Sequence, residues 1–226
     1  MTRAVTERSA ATGPAAGATD RILRHALADR VFHWLTAASV LTLLGTAFLP
    51  ILGFKFDWVM VHWVSGLVLI AAVLFHVVRA LIWQNWRTVM IYGADVRELS
   101  TVVRATLRRG GGALAKPGKY SFAQKLIHFA FTLAVLAAAA TGALMLAHVE
   151  TPWWRPNPYL LRDATWGVVY VVHDLAALAL ITMLMTHVYF ALRPEKLLFT
   201  RAMLRGWITR AEYEEHHDPK RWQVDR

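Results

Sequence analysis

Apolar residues gather into four long runs separated by polar stretches. Each run reaches or exceeds the roughly 20 residues needed to cross a bilayer core. The runs are Val31–Leu52, Trp58–Trp83, Leu126–Ala147 and Trp166–Leu192. They predict an all-α integral membrane four-helix bundle. The stretch LPILGFKFD after the first run reads as a short turn beginning near Pro50. Between runs two and three, ADVRELSTVVRATLRR places Val96, Leu99, Val102, Val103 and Leu107 at helical spacing beside four arginines. This predicts an amphipathic helix lying on the membrane surface or on a partner. Gly110, Gly111 and Gly112 would stop it.

The domain organisation follows from these runs. Residues 1–20 are Ala-, Thr- and Gly-rich, without periodicity or an apolar signal region, and are expected to form a disordered cytoplasmic tail. Residues 21–192 form the four-span domain. Residues 193–226 are polar and basic, carry the doublet His216–His217, and are expected to form a cytoplasmic C-terminal tail. No internal repeat is present.

Composition supports the membrane assignment. The chain has 226 residues, is 56% hydrophobic and has a mean hydropathy of +0.37, too apolar for an ordinary soluble domain. The net charge of +10 is unevenly distributed: 22 of 25 Lys and Arg fall at the termini or in the loop between spans two and three. Only Lys55, Arg155 and Arg162 lie in the other loops. This positive-inside bias places both termini in the cytoplasm. It implies anionic lipid as partner and makes nucleic acid unnecessary. Tryptophans 34, 58, 63, 83, 86 and 166 sit near span ends, as in interfacial belts. The outer stretch HVETPWWRPNPYLLRD, with three prolines and two tryptophans, reads either as a docking surface or as a membrane-interface loop. The absence of cysteine excludes disulfides, thiolate ligation of iron–sulfur clusters and covalent c-type haem.

The chemistry lies in the histidines. Of ten, six fall in or at the ends of spans: His33, His62, His76, His128, His173 and His187. An ionisable group at membrane depth is a functional candidate, because leaving it unpaired in lipid is costly. The stretch VVHDLAALALITMLMTHVYFAL, residues 171–192, holds His173 and His187 fourteen positions apart. That interval closes nearly four helical turns, so both lie on one face, about 21 Å apart along the axis. They are too distant to share one ion but suit two stacked b haems, which take axial imidazoles and need no cysteine. Depth pairs His62 with His173 on the outer side. For the inner side, His33, His76 and His128 lie near the depth of His187. His76 repeats the fourteen-residue interval from His62, so spacing alone favours it, but sequence arithmetic does not choose between His33 and His76. Gly45, Gly66 and Gly142 could let a porphyrin approach the backbone or could simply tighten helix contacts.

Several stretches together resemble the gamma subunits of membrane-bound respiratory formate dehydrogenases, four-span di-haem cytochromes b. They are DRVFHW at 29–34, VHWVSG at 61–66, GKYSFAQK at 118–125, VVHDLAA at 171–177, THVYFA at 186–191 and HHDPKRW at 216–222. The resemblance implies that His33 and His187 hold the inner haem and that His62 and His173 hold the outer one. It implies a quinone pocket (ubiquinone or menaquinone) built partly from Lys119, Tyr120, Ser121 and Gln124. Ser121 and Ala123 stand where that family usually has Asn and Gly, and the shorter serine hydroxyl favours a bridging water. His76 and His128 become candidates for proton delivery. The implied partners are an iron–sulfur beta subunit and a molybdopterin- or tungstopterin-containing alpha subunit, with room for a higher oligomer. This chain would contribute no formate-oxidising site. Rival readings are a cytochrome b of a thiosulfate reductase or hydrogenase, a haem-free anchor and a metal transporter.

Overall fold

The computed structural model describes residues 20–83, 88–107 and 116–224. Most of the expected N-terminal tail (1–19), Trp86 and glycines 110–112 lie outside the described residues. Four helices are long and apolar enough to cross a membrane: α1 (Leu27–Phe48), α2 (Trp58–Ile82), α4 (Phe122–Met145) and α5 (Asp163–Leu192). Between the two pairs lies α3 (Gly93–Leu107). It exposes Val96 and Leu99 beside Arg97 and Arg104, the mixed face expected of a surface helix.

Two helix ends differ from the hydrophobic pattern, each for a local reason. The first span stops at Phe48 instead of running to Leu52: Leu49 keeps helical geometry, but Pro50 has no backbone N–H with which to continue the hydrogen-bond ladder. Leu49 N–H closes the last turn on Gly45, and the chain reverses through Gly53 at φ +92°. The third span starts at Phe122, four residues before the apolar run. Ser121 Oγ accepts from Gln124 N–H at 3.3 Å, and Gln124 Oε1 accepts from Ser121 N–H at 2.9 Å. This reciprocal cap satisfies two of the donors that a helix start leaves open.

The spans form two antiparallel hairpins, α1 against α2 and α4 against α5. They meet at mid-depth in a core of Val40, Leu44, Leu69, Ala134, Val135 and Leu180. Elsewhere apolar side chains point outward, with Leu133 72% exposed, as lipid-facing residues must. Arg79 of α2 ion-pairs with Asp29 of α1 at the end bearing both termini, the end expected inside. Nearby, Lys125 Nζ lies 3.0 Å from both Asp95 carboxylate oxygens and from the Met90 carbonyl. This buried pair fastens α3 to the start of α4.

The segment expected as a C-terminal tail carries α6 (Leu197–Arg205), β2 (Trp207–Thr209) and α7 (Arg210–His216). β1 (Arg21–Leu23) pairs antiparallel with β2, bringing the two ends of the chain together. Ile22, Ala202, Ile208 and Tyr213 form a small core with Trp222 and Val224 packed against it. Gly206 ends α6 at φ +91°, where a Cβ would fall 2.9 Å from the His25 carbonyl. Glycine is required there by both conformation and space. His217, only 2% exposed, donates from Nδ1 to the Gly118 carbonyl at 2.7 Å. Its Nε2 therefore accepts from Arg24, also at 2.7 Å. Arg24 in turn donates to the Lys119 carbonyl at 2.9 Å, so the strand end, the loop before α4 and the C-terminal segment are locked together.

Two predictions follow from these contacts. Lys125→Ala leaves the Asp95 carboxylate buried without its cation and should cost about 3–5 kcal/mol, whereas replacing both by apolar residues should cost much less. Thermal unfolding in detergent checks the difference. Burial, with the Arg24 charge adding to it, holds His217 down to about 4, and burial with Arg24 and Lys119 holds His25 down to about 3. Both are depressed below the unfolded value, so the unfolded chain binds more protons in the window between. Stability of this cap should be level above about pH 6.5 and fall progressively towards pH 4 and below. Hydrogen exchange at Ile22 and Ile208 across that range reads it directly.

Candidate functional site

Four imidazoles face one another in two tiers. At the end bearing both termini, the end expected inside and called inner below, His33 of α1 and His187 of α5 have ring centres 6.2 Å apart, with planes inclined by 55°. At the outer end, His62 of α2 and His173 of α5 are 6.3 Å apart, inclined by 63°. α5 supplies one ring to each tier, and the α1–α2 hairpin supplies the others. Leu180, midway between His173 and His187, belongs to the apolar core separating the tiers.

The spacing suits axial ligation. Two imidazoles bonded on opposite sides of one metal, at about 2 Å per metal–nitrogen bond, have ring centres about 6 Å apart. Among the described residues no three His, Asp or Glu side chains converge on one point. The imidazoles come in pairs, which is what a porphyrin iron requires, since four equatorial nitrogens come from the ring itself. In the outer tier, Thr46 Oγ1 lies 2.8 Å from His62 Nδ1, and Thr141 Oγ1 lies 2.9 Å from His173 Nδ1. A Cβ on Gly142 would sit 3.2 Å from His173 Cε1, so the bare backbone there makes room for the ring. Gly45 and Gly66 have no such duty, since a Cβ at either would make ordinary contacts with leucine.

The other histidines lie apart from these pairs. His76 stacks on Phe32, with centroids 4.1 Å apart and planes at 9°. His128 packs edge-on to Phe129. His148 accepts or donates through Nδ1 with the Tyr170 hydroxyl at 2.6 Å and packs on Trp166 near the outer loop. That loop leaves Trp153 and Tyr159 largely exposed.

Lys119, Tyr120, Ser121 and Gln124 lie at the start of α4 on the inner side. Burial lowers the Lys119 ammonium, with the Arg24 charge adding to the effect, and burial raises the Tyr120 phenol. Lys119 and Arg24 both lie over the Tyr120 ring. Ser121 and Gln124 are engaged in the helix cap, but each retains a donor: the serine O–H and the glutamine NH2. The sequence reading missed Thr46, Thr141 and Arg24. A threonine in an apolar span is itself a polar group seeking a partner, but only the neighbouring helix reveals which one.

The prokaryotic cytochrome b561 family is matched over residues 24–206. The chain belongs to this family. It is also similar to the cytochrome b556(fdo) subunit of formate dehydrogenase from Escherichia coli K12, with 25% identity over 217 residues covering 90% of this chain and 92% of the relative. The cytochrome b556 subunit of formate dehydrogenase from Haemophilus influenzae is 24% identical over 215 residues, covering 89% and 82%. Membership implies haem b and electron transfer, so this is a prokaryotic membrane cytochrome. Gly142→Ala in this cytochrome should displace the His173 ring by a few tenths of an ångström. The low-temperature EPR spectrum should report altered imidazole orientation at one centre only.

Proposed function

We propose that this chain is the cytochrome b subunit of a respiratory formate dehydrogenase, carrying electrons from an outer iron–sulfur partner to a quinone near the cytoplasm. The observation that carries the proposal is the two-tier arrangement of facing imidazoles, 6.2 and 6.3 Å between ring centres, on helices that cross the membrane. His33 and His187 would hold the inner haem b, and His62 and His173 the outer one. When bound, the two haems supply one-electron steps across the apolar core. The formate dehydrogenase subunits to which the chain is similar support the choice of donor.

The residues at the inner end suit quinone chemistry. Reduction takes two electrons and two protons, Q + 2e⁻ + 2H⁺ → QH₂, and the protons come from the cytoplasmic side. The Ser121 hydroxyl and the Gln124 amide each keep a donor for a quinone oxygen, directly or through water. Arg24 and Lys119 place positive charge beside this end, which favours negative charge developing on those oxygens. Formate oxidation belongs to a molybdopterin or tungstopterin subunit on the outer face, so proton uptake inside and release outside would separate charge. Both termini would then lie in the cytoplasm, in keeping with the basic bias of that end.

The test is an optical spectrum and haem count on the complex purified through this chain, with identification of its partner polypeptides. Two b haems per chain are expected, with His33→Leu and His62→Leu each losing one and abolishing quinone reduction by formate. Retention of the other haem shows that each variant has folded. Loss of a haem from His76→Leu with none lost from His33→Leu would reassign the inner ligand. No reducible b-type absorption would end the cytochrome assignment, and hydrogenase subunits in place of formate dehydrogenase would replace the donor.

A further inference from the structure

The two outer histidines are served by the same device, built twice. Thr46 on α1 meets His62 on α2, and Thr141 on α4 meets His173 on α5. Each threonine hydroxyl has a single proton, and carbonyls of its own helix lie within reach of it. For Thr46 these are Thr42 at 2.8 Å and Leu43 at 3.0 Å; for Thr141 they are Ala137 at 2.6 Å and Ala138 at 3.2 Å. A carbonyl only accepts, so the hydroxyl proton is committed to the backbone. The hydroxyl oxygen is left to accept from the imidazole, beside a backbone carbonyl that also faces each ring, Leu43 for His62 and Ala138 for His173; with only acceptors around it, Nδ1 is the nitrogen that carries hydrogen. Nε2 is thereby left with its lone pair, the form that binds a metal.

Other span threonines show that the arrangement is not a by-product of helix geometry. Thr132, Thr182 and Thr186 also donate to a carbonyl one turn back, but their hydroxyls reach no imidazole. Thr46 and Thr141 are 5% and 9% exposed, so neither water nor lipid competes for the bond. The inner tier lacks the device. Among the described residues, neither ring nitrogen of His33 or His187 has a hydrogen-bond partner in the chain.

We propose that Thr46 and Thr141 are positioning residues that fix the outer imidazoles as Nδ1–H tautomers, strengthen them as donors, and so hold the outer centre at a lower potential than the inner one. The proposal rests on the bis-histidine reading above. An Nδ1–H that donates to oxygen pushes electron density towards Nε2, and a stronger axial donor stabilises ferric over ferrous iron. A lower outer potential makes transfer from the outer to the inner tier downhill, which is the direction the proposed function needs.

The experiment is a potentiometric titration of the purified complex, followed optically and by EPR, with Thr46→Val, Thr141→Val, the double variant and the two serine variants. Thr182→Val serves as a control that removes only a backbone bond. The outer component is identified as the one missing from His62→Leu. Its midpoint should rise in each valine variant and rise further in the double, while the inner midpoint stays put; serine and the control should behave as the parent. Loss of the outer haem from a valine variant, restored by serine, would equally support the proposal. Two haems with unmoved potentials in the double variant would overturn it while leaving the bis-histidine reading intact, and so would a loss that serine does not restore. A parent complex without b-type absorption would instead remove the reading beneath it.

Discussion

An imidazole placed in hydrocarbon is costly unless something engages it, and the placement of four such rings organises this bundle. Water cannot serve at that depth, and an unpaired polar group there is costly. Four of the ten histidines face another imidazole, with ring centres 6.2 and 6.3 Å apart, about the separation of two imidazoles bonded to one metal. The hairpins pack against each other between the tiers, where Val40, Leu44, Leu69, Ala134, Val135 and Leu180 interlock. Helix pairing follows the same logic: α1 with α2 and α4 with α5 pack intimately, while the histidine faces oppose one another across the bundle.

Much of this was legible in the sequence because its two governing signals are strong and local. Hydrophobic length marks four spans, and the structure has four helices long and apolar enough to cross a membrane. Fourteen-residue spacing on α5 identifies a shared face without any tertiary information. What escaped was non-local. His33 and His76 are equivalent by depth and spacing alone favours His76, so only the resemblance pointed to His33; in the folded chain His76 stacks on Phe32 and His33 faces His187. The β1–β2 pair is three residues on three, separated by nearly the whole chain, too short for any periodicity to register. The segment it anchors therefore read as a tail.

Ser121 illustrates a different failure of legibility. Its place in a stretch resembling a quinone-binding motif drew attention to substrate chemistry, while the pattern Ser-x-x-Gln before an apolar run is also a helix-start signature. The structure shows the second role, and the two are compatible, because a capping hydroxyl accepts from the backbone and still has a proton to donate. The third span begins earlier than its hydrophobicity for this reason. The cap also fixes the orientation of the residues around it, which gives a loop at the membrane surface the rigidity that substrate positioning demands.

The inner end joins these threads electrostatically. Arg24, though burial lowers it to about 10, remains a cation at neutral pH, whereas His25 and His217, held down to about 3 and about 4, remain neutral. A doubly protonated His217 would lose the Nε2 lone pair that accepts from Arg24, so its neutrality is a condition of the cap and not an incidental property. Positive charge at this end is thus carried by guanidinium and ammonium groups in fixed places, while the imidazoles nearby serve as hydrogen-bond partners. An acceptor that gains electrons beside such a site is stabilised as it becomes negative, and the protons it then takes up must be drawn from outside this buried pair of histidines. The cap built from β1 and the segment after α5 therefore does more than close the bundle: it fixes positive charge at the end where the proposed function places the electron acceptor.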